Sequence, residues 1–443
     1  LNEINLMVVN SMSYAKYDSY KDSGVDWLGK IPSDWDLLKV KNIFRLVMKF
    51  APKNNDCELL SVYTDIGVKP RKELEERGNR ATTTDGYLIV EKGDIVVNKL
   101  LAWMGAIGLS DYDGVTSPAY DVLKPKMPIE GIFYHLLFRS PQCTSELKRH
   151  SRGIMDMRLR LYFDKFGDVV VPYPNIEVQK KIVSFLAEKT AQIDQAIALK
   201  QQQIEKLNEY KQIVIQNAVT KGLNPNVPMK DSGVEWIGDI PEHWEVKKIK
   251  EIATLKGRIG FRGYNASDLV NEDEGAITIS PSNILDDKTF FEKNSYLSWK
   301  KYYESPEIMI FNDDILLVKT GSTVGKVGIV KNLNQSATIN PQLLVFKKVK
   351  VNKDYLFFYL YSDFFFDLIK SNSIGSTIPT ISETKIKNLP VVLPPDEEQL
   401  NILQKLRIDV DRFDKISKAY QIQIDRLKEY KNILINQAVT GKI

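Results

Sequence analysis

Residues 21–46 read KDSGVDWLGKIPSDWDLLKVKNIFRL, and residues 230–255 read KDSGVEWIGDIPEHWEVKKIKEIATL. At an offset of 209 these 26 positions share 14 identities, among them Trp27/Trp236, Pro32/Pro241 and Trp35/Trp244. Chance does not produce that agreement, and an internal repeat decides architecture before any local reading does. A second pair follows: residues 205–220, EKLNEYKQIVIQNAVT, match 425–440, DRLKEYKNILINQAVT, at an offset of 220. The same offset aligns Pro174 with Pro394, Gln179 with Gln399 and Ile182 with Ile402. The order is therefore module, helix, module, helix, with about 11 extra residues inside the second module.

The helical segments follow from their apolar spacing. After Pro174 the apolar positions Ile182, Leu186, Ile193, Ile197, Ile204, Leu207 and Val214 are separated by sums of threes and fours, which is one stripe of a helix. The second copy runs Ile402, Leu406, Val410, Phe413, Tyr420, Ile424, Leu427 and Leu434. Neither segment holds Pro or Gly, so each reads as a rod of roughly 65–70 Å at 1.5 Å per residue. A rod that long with one narrow stripe needs a partner, and the other copy is the obvious one. The alternative is that each helix lies flat on its own module. The chain thus divides into an N-terminal extension (1–17), a first module (18–173), a first long helix with its linker (174–225), a second module (226–393) and a second long helix (394–443).

The modules read as mixed α/β with short strands, an α+β class. Tyr87–Asn98 carries a Lys-Gly turn between β-branched runs, and Ile308–Val318 has the same form around Asn312-Asp313-Asp314. The centres of the two modules do not align by eye, as expected of one frame carrying two different readout surfaces. In the frame itself, glycines and a proline set turns and the tryptophans supply large apolar anchors. Identical aromatics in both copies argue for packing rather than for stacking on bases, because readout residues should differ.

Composition narrows the class. The 443 residues allow two to four domains, and 43% hydrophobic with 27% charged residues is a globular composition. Lys plus Arg is 61 against 57 Asp plus Glu, so any nucleic-acid role rests on local basic surfaces and not on bulk charge. Two cysteines (Cys57, Cys143) and three histidines (His135, His150, His243) exclude a disulfide scaffold or a zinc-ribbon array and suit a reducing cytoplasm. The most apolar run, Tyr355 to Ile369, reads as one buried amphipathic helix, and no stretch reaches the roughly 18–20 apolar residues of a membrane span. Residues 1–17 lack a basic region followed by an apolar one, so no signal peptide is expected.

Catalytic signatures fail one by one. Thr320-Gly-Ser-Thr-Val-Gly-Lys326 has Thr where a phosphate loop needs its first glycine, and Val327 where it needs Ser or Thr. Asn340-Pro-Gln-Leu343 departs from the Asn-Pro-Pro-Tyr of amino-methyltransferases at its last two residues, and no G-x-G-x-x-G loop precedes it. Asp286-Asp-Lys288 offers half of a nuclease motif without its upstream Pro-Asp. No histidines stand at a ligand spacing, so no metal site is expected. Catalysis is expected elsewhere.

Binding surfaces are the positive signal. Residues 148–160, KRHSRGIMDMRLR, hold Lys148, Arg149, Arg152, Arg158 and Arg160 against one acid, Asp156, and read as a mobile basic segment able to lie along phosphates. Residues 247–262 carry Lys256, Arg258 and Arg262 beside Lys247, Lys248 and Lys250. Lys69, Arg71 and Lys72, then Arg77 and Arg80, add further charge of the kind that reads phosphates and guanine edges.

At this point the sequence resembles the specificity (S) subunit of a type I restriction–modification system, over about residues 18–443. The resemblance rests on the doubled K-D-S-G-V-x-W-x-G-x-I-P-x-x-W, on Lys92-Gly-Asp-Ile-Val-Val-Asn-Lys99 followed by Trp103-Met-Gly-Ala-Ile-Gly108, and on Ser117-Pro-Ala-Tyr120. Thr320-Gly-Ser-Thr-Val-Gly-Lys-Val-Gly-Ile329 and Leu393-Pro-Pro-x-x-Glu-Gln399 support it. The first long helix departs by opening Val-Pro-Tyr-Pro-Asn-Ile-Glu-Val-Gln179, without the Pro-Pro and Glu-Gln.

The resemblance implies a non-catalytic subunit. Each module would be a target recognition domain for one half of a bipartite site on double-stranded DNA. The two helices would pair as an antiparallel coiled coil with pseudo-twofold symmetry, through Ile182, Leu186, Ile193, Ile197 and Leu207 on one and Leu406, Val410, Phe413, Ile424 and Leu427 on the other. Two modification subunits would use S-adenosylmethionine to methylate adenine, and restriction subunits would use ATP and magnesium to cut, so this chain itself needs no cofactor. Lys99, Lys319 and Lys326, in the motif-bearing loops, join the candidate DNA contacts. The competing classes are a self-contained methyltransferase or nuclease, and an assembly protein without DNA specificity. If the helices set the unread spacer, inserting four residues, about one turn, near Gln201 should lengthen that spacer and leave both half-sites unchanged. Methylation-motif sequencing reads this, and an altered half-site contradicts it.

Overall fold

The computed structural model describes residues 17–73, 83–155, 158–285, 288–375 and 377–443. The chain forms two compact units, one of Leu1–Gln201 with Gln421–Ile443 and the other of Gln202–Tyr420. The unit boundaries fall inside the two long helices, Ile176–Lys221 and Asp396–Val439.

The repeated frame has the same physical cause in each unit. Strand Tyr20–Asp22 pairs antiparallel with Lys30–Pro32, and Met229–Asp231 with Asp239–Pro241. Asp22 and Asp231 each accept from the backbone N–H two residues on, at 2.9 Å, and Gly24 and Gly233 take the left-handed backbone this turn requires. The turn delivers Trp35 and Trp244 into the cores, where both are fully buried. Each sits against a glycine that ends a long helix. A Cβ on Gly441 would stand 3.1 Å from the Trp35 ring, and one on Gly222 would stand 3.1 Å from Trp244. Both glycines are left-handed, the usual way to stop a helix, so the position answers two demands at once.

The start of each long helix is fastened alike. Gln179 Nε2 donates to the Pro174 carbonyl (2.8 Å) while its Oε1 accepts from the Glu130 N–H (2.8 Å). Gln399 does the same with Pro394 (2.9 Å) and Asn352 (3.2 Å). Glu130 and Asn352 are the N-caps of module helices Gly131–Arg139 and Lys353–Tyr361, so one buried amide joins two helix beginnings. The departure at the first helix has a visible effect. Glu398 accepts from Trp244 Nε1 (3.0 Å) and His243 Nε2 (2.8 Å), whereas Val178 stands at its counterpart and Trp35 instead meets the Tyr17 ring edge-on at 5.7 Å.

A four-stranded antiparallel sheet forms the centre of the first module, in the order Phe44–Val47, Tyr120–Pro125, Ile95–Asn98, Ile107–Leu109. The second module repeats that order with Thr254–Gly257, Leu343–Lys347, Ile315–Val318 and Val327–Ile329, then extends it by Lys288–Thr289 and Ile284–Leu285. The extra length of the second module lies between Gly257 and Ile315. That segment holds the two added strands and four strands of a five-stranded sheet completed by Ala337–Ile339.

Two sequence expectations need correction, on the apolar run 355–369 and on Trp236, whereas the turns at Lys92-Gly93 and Asn312-Asp313 are present and divide their flanking strands between sheets. Leu88–Val90 pairs with Gly114–Thr116 while Ile95–Asn98 joins the central sheet, and Met309–Ile310 and Ile315–Val318 likewise part into different sheets. Asp94 and Asp314 hold these corners by accepting the N–H three residues back, each at 2.9 Å. The apolar run 355–369 is two helices, Lys353–Tyr361 and Asp363–Ser371, because Ser362 is extended and its Oγ donates to the Tyr359 carbonyl at 2.6 Å. Ser140 breaks Gly131–Arg139 from Pro141–His150 in the same way. The packing reading of the tryptophans holds for Trp35 and Trp244, but Trp236 is partly exposed and stacks on Phe364 with ring centroids 5.7 Å apart.

The long helices meet within each unit. In the first, Lys431 pairs with Asp194 at 2.7 Å and Lys200 donates to Gln423, so one segment climbs in number as the other descends. Ile182, Leu186, Ile193 and Ile424 are buried there, with Ile197 and Leu427 half-buried against the core. In the second unit Lys211 pairs with Asp414 at 2.7 Å, Tyr210 meets Phe413 edge-on, Leu406 and Val410 are buried, and Leu207 is half-buried. Neither helix lies flat on one module alone, since both contribute to each unit's core.

His135 gives the first unit a pH response. Its ring is buried where Gly67 and Gly108 leave room, and Nδ1 accepts the Leu109 N–H at 3.2 Å. Burial, then the nearby Arg139, pulls its pKa down to about 4. The unfolded chain takes up that proton near 6.5, so stability is full above 6.5 and falls as pH drops towards 4, by on the order of 3 kcal/mol. Melting temperature recorded against pH should show this slope, and His135→Gln should flatten it between those limits.

Candidate nucleic-acid interface

In each unit three segments converge where the central strands end. In the second, Lys319 follows strand Ile315–Val318, its N–H donating to the Gln342 carbonyl (2.8 Å) and its carbonyl accepting from Ile381 (2.9 Å). The Gly321 N–H reaches the Pro379 carbonyl at 2.9 Å. In the first, Lys99 donates to the Ala119 carbonyl (3.2 Å) and accepts from Leu161 (2.9 Å). The segments are a loop after the third strand (residues 99–105 and 319–325), a proline turn (117–119 and 340–342) and a hairpin closed by paired backbone bonds (Arg152 with Arg160, and Ile374 with Thr380), of which residues 156, 157 and 376 lie outside the described ones.

This convergence explains two motifs that resembled catalytic ones. Asn340-Pro-Gln is a turn in which Asn340 Oδ1 accepts the Gln342 N–H (3.0 Å), and Ser117-Pro-Ala does the same through Ser117 Oγ to Ala119 (3.2 Å). Thr320–Lys326 folds on itself as a tight connection, with Gly321 and Gly325 at positive φ and Val318 bonded to both Gly325 and Lys326, so its N–H groups are not fanned round an anion.

The basic candidates separate by what holds them. Arg258 is buried, its guanidinium donating to the Ile339 carbonyl (3.2 Å) and Thr338 Oγ1 (3.0 Å), with the Tyr264 ring across it. It braces the five-stranded sheet and is turned away from solvent, so it is left out of the cations assigned to the DNA side below. Arg262 pairs with Glu307 at 3.3 Å, Arg149 with Glu146 at 2.9 Å and Lys99 with Asp121 at 3.4 Å. Lys69 donates to Tyr112 Oη at 2.9 Å, and Arg71 is half-buried. Arg152 meets Asp164 at 3.4 Å in an exposed pair of the kind that contributes little, and the Arg160 guanidinium rests on the Leu159 carbonyl. Among the described residues Arg158, Lys256, Lys319 and Lys326 have no ion-pair partner. Arg77 and Arg80 lie outside the described residues.

The basic segment 148–160 is only partly a loop. Lys148, Arg149 and His150 form the last turn of helix Pro141–His150, where cations suit the helix dipole, and Lys148 lies 4.8 Å over the Trp103 ring. What the sequence did not single out is the apolar part of the two hairpins, Ile154 and Met155 in one and Ile374 and Ile378 in the other, all exposed. The signal available was a shared Gly153 and Gly375 after the closing residue, obscured by different hairpin lengths. Among the described residues no group of His, Cys, Asp and Glu could hold a metal ion, and no helix is long and apolar enough to cross a membrane.

The structure thus repeats one α/β module, each copy carrying the same three-segment cluster and drawing on both long helices for its core. The family model for the type I restriction modification DNA specificity domain matches residues 32–209 and 241–426. The chain belongs to this family. It is 25% identical to the type I restriction enzyme MjaVIII specificity subunit of Methanocaldococcus jannaschii, covering 98% of this chain and 97% of that one. It is 28% identical to the putative MjaX specificity subunit of the same organism, covering 98% of each. A solved structure described as the structural basis of complex assembly and conformational transition of the type I R-M system shares the fold, with a TM-score of 0.65, 15% identity and coverage of 93% of this chain and 99% of that one.

The division between bracing and open cations is measurable. Arg258→Ala leaves the Ile339 carbonyl and Thr338 without their donor and should destabilise the chain by about 1–3 kcal/mol in a denaturant melt. Lys319→Ala should stay within about 0.5 kcal/mol. Equal losses for the two would remove the distinction.

Proposed function

We propose that each unit of this specificity subunit reads one half of a bipartite DNA site, and that the chain thereby directs adenine methylation and cleavage by partner subunits. The observation that carries the reading is the recurrence of one three-segment convergence in both units, bearing different side chains in each. A shared scaffold with unlike surfaces suits two half-sites of unlike sequence, since phosphate contacts position a reader and base contacts specify. Arg158 and Arg160 in one unit, and Lys256, Lys319 and Lys326 in the other, are the cations we assign to the DNA side. The partners are two modification subunits, which use S-adenosylmethionine, and restriction subunits, which use ATP and magnesium, all working in the cytoplasm. The solved neighbour's description, which speaks of complex assembly in a type I system, supports a multi-subunit setting.

The experiment is co-expression with its cognate modification subunit, followed by sequencing for methylated adenine. A single bipartite motif should be methylated, and it should vanish when this chain is omitted. Arg158→Ala should relax one base position by roughly 1–3 kcal/mol if the guanidinium reads a base, or weaken all sequences alike if it holds a phosphate. A methylated motif that persists without the chain, or S-adenosylmethionine binding by the purified chain alone, would overturn the proposal.

A further inference from the structure

Among the described residues the two most exposed large apolar side chains are Ile154, at 98%, and Ile374, at 70%. They do not lie at random. Both sit in the hairpin that ends each convergence, Ile154 two residues after Arg152 and Ile374 at the closing pair itself. Met155 accompanies the first at 50% exposure and Ile378, followed by Pro379, accompanies the second at 62%. A side chain left in water gains nothing for folding, because burial at about 25 cal/mol per Å² is what makes an apolar residue useful to a core.

The hairpins themselves are held firmly. Arg152 and Arg160 exchange both backbone bonds at 2.8 Å, and Ile374 and Thr380 exchange theirs at 2.8 and 2.9 Å. The next residue in each case, Leu161 or Ile381, is buried and donates to the lysine carbonyl at the strand end. The sequences differ, Arg-Gly-Ile-Met against Ile-Gly-Ser-Thr with Ile-Pro beyond, so exposed apolar character recurs where identity does not. Cations stand beside both. Residues 148–160 carry five Lys and Arg, of which Arg149 faces Glu146 and Arg152 faces Asp164 while Arg158 has no ion-pair partner among the described residues, and in the second unit Lys385 Nζ donates to the Asn372 carbonyl (3.1 Å) beside the hairpin that Lys319 anchors.

An exposed apolar point with unpaired cations nearby matches a polyanion with an apolar interior, which is a DNA duplex: phosphates outside, stacked bases within. Ile, Met, Leu and Pro are the side chains that press between base steps and partly unstack them. We infer that each hairpin tip is a wedge that enters a groove of its half-site and unstacks one base step there, Ile154 with Met155 in the first unit and Ile374 with Ile378 in the second. The inference rests on the DNA-reading function proposed above and adds a means of shape readout, since the energy of opening a step depends on its sequence.

The test has two stages, so that the two claims fail separately. The assembled methyltransferase first selects its site from a random duplex pool; absence of any bipartite motif would refute the DNA-reading function itself. The selected duplex is then prepared with 2-aminopurine at each position in turn and titrated with the same complex. The wild type should raise fluorescence several-fold at one step in each half-site. Ile154→Ser with Met155→Ser should abolish the rise in one half only, and Ile374→Ser with Ile378→Ser in the other, with melting temperatures unchanged because all four side chains are exposed. Ile154→Leu should keep the signal. A target base turned out by a modification subunit would light up in both variants and so stands apart. Intact binding with no rise that either variant removes overturns the inference. So does a loss of subunit association with the fluorescence retained, which would make the tips protein contacts.

Discussion

In each unit a buried tryptophan closes against the left-handed glycine that ends a long helix, Trp35 on Gly441 and Trp244 on Gly222. The rest of the architecture depends on this contact. It ties the end of one helix to a module whose other edge already holds the beginning of the second, through Gln179 or Gln399. A helix stopped one residue early or late would carry its glycine off the indole, and any side chain there would strike both the ring and the left-handed backbone. The repeated Pro-x-x-Trp and the repeated helix ends are therefore two halves of one joint. That is why these segments agree between copies while the module centres do not.

In each unit one arginine braces the module. In the first unit Arg139 gathers the carbonyls of Tyr63, Thr64, Gly105 and Ile107, and in the second Arg258 bonds the Ile339 carbonyl and Thr338 Oγ1. Both guanidiniums are held below their usual pKa by burial and still give buried acceptors a donor. The modest excess of four positive charges does not show which cations are braced and which are open. The open cations cluster instead at the strand ends, where loop, proline turn and hairpin meet.

Legibility followed interaction range. The doubled frame, the two helices and their stripe were readable because turn chemistry and helix periodicity act over a few residues. The divided apolar run 355–369 was missed because Ser362 breaks the helix through its own backbone and a bond to Tyr359, while hydrophobicity alone continues across it. The strands flanking Gly93 and Asp313 were visible, yet their partners were not, because Leu88–Val90 and Ile95–Asn98 bond to strands well downstream. Among candidate contacts, Arg258 and Arg158 look alike in sequence; only burial by Thr338 and Ile339 distinguishes them.

By itself the sequence determined the module–helix–module–helix order, the turn glycines, the apolar stripe and the absence of recognisable catalytic spacing, since each is written in neighbours or in a repeat. Only the tertiary structure decided which basic groups are free, that the Asn340 and Ser117 turns are the same device, and that Ile154 and Ile374 stand out in solvent at matching hairpins. These are properties of distant segments brought together. Burial and exposure are set by whatever packs alongside, and no local pattern encodes that.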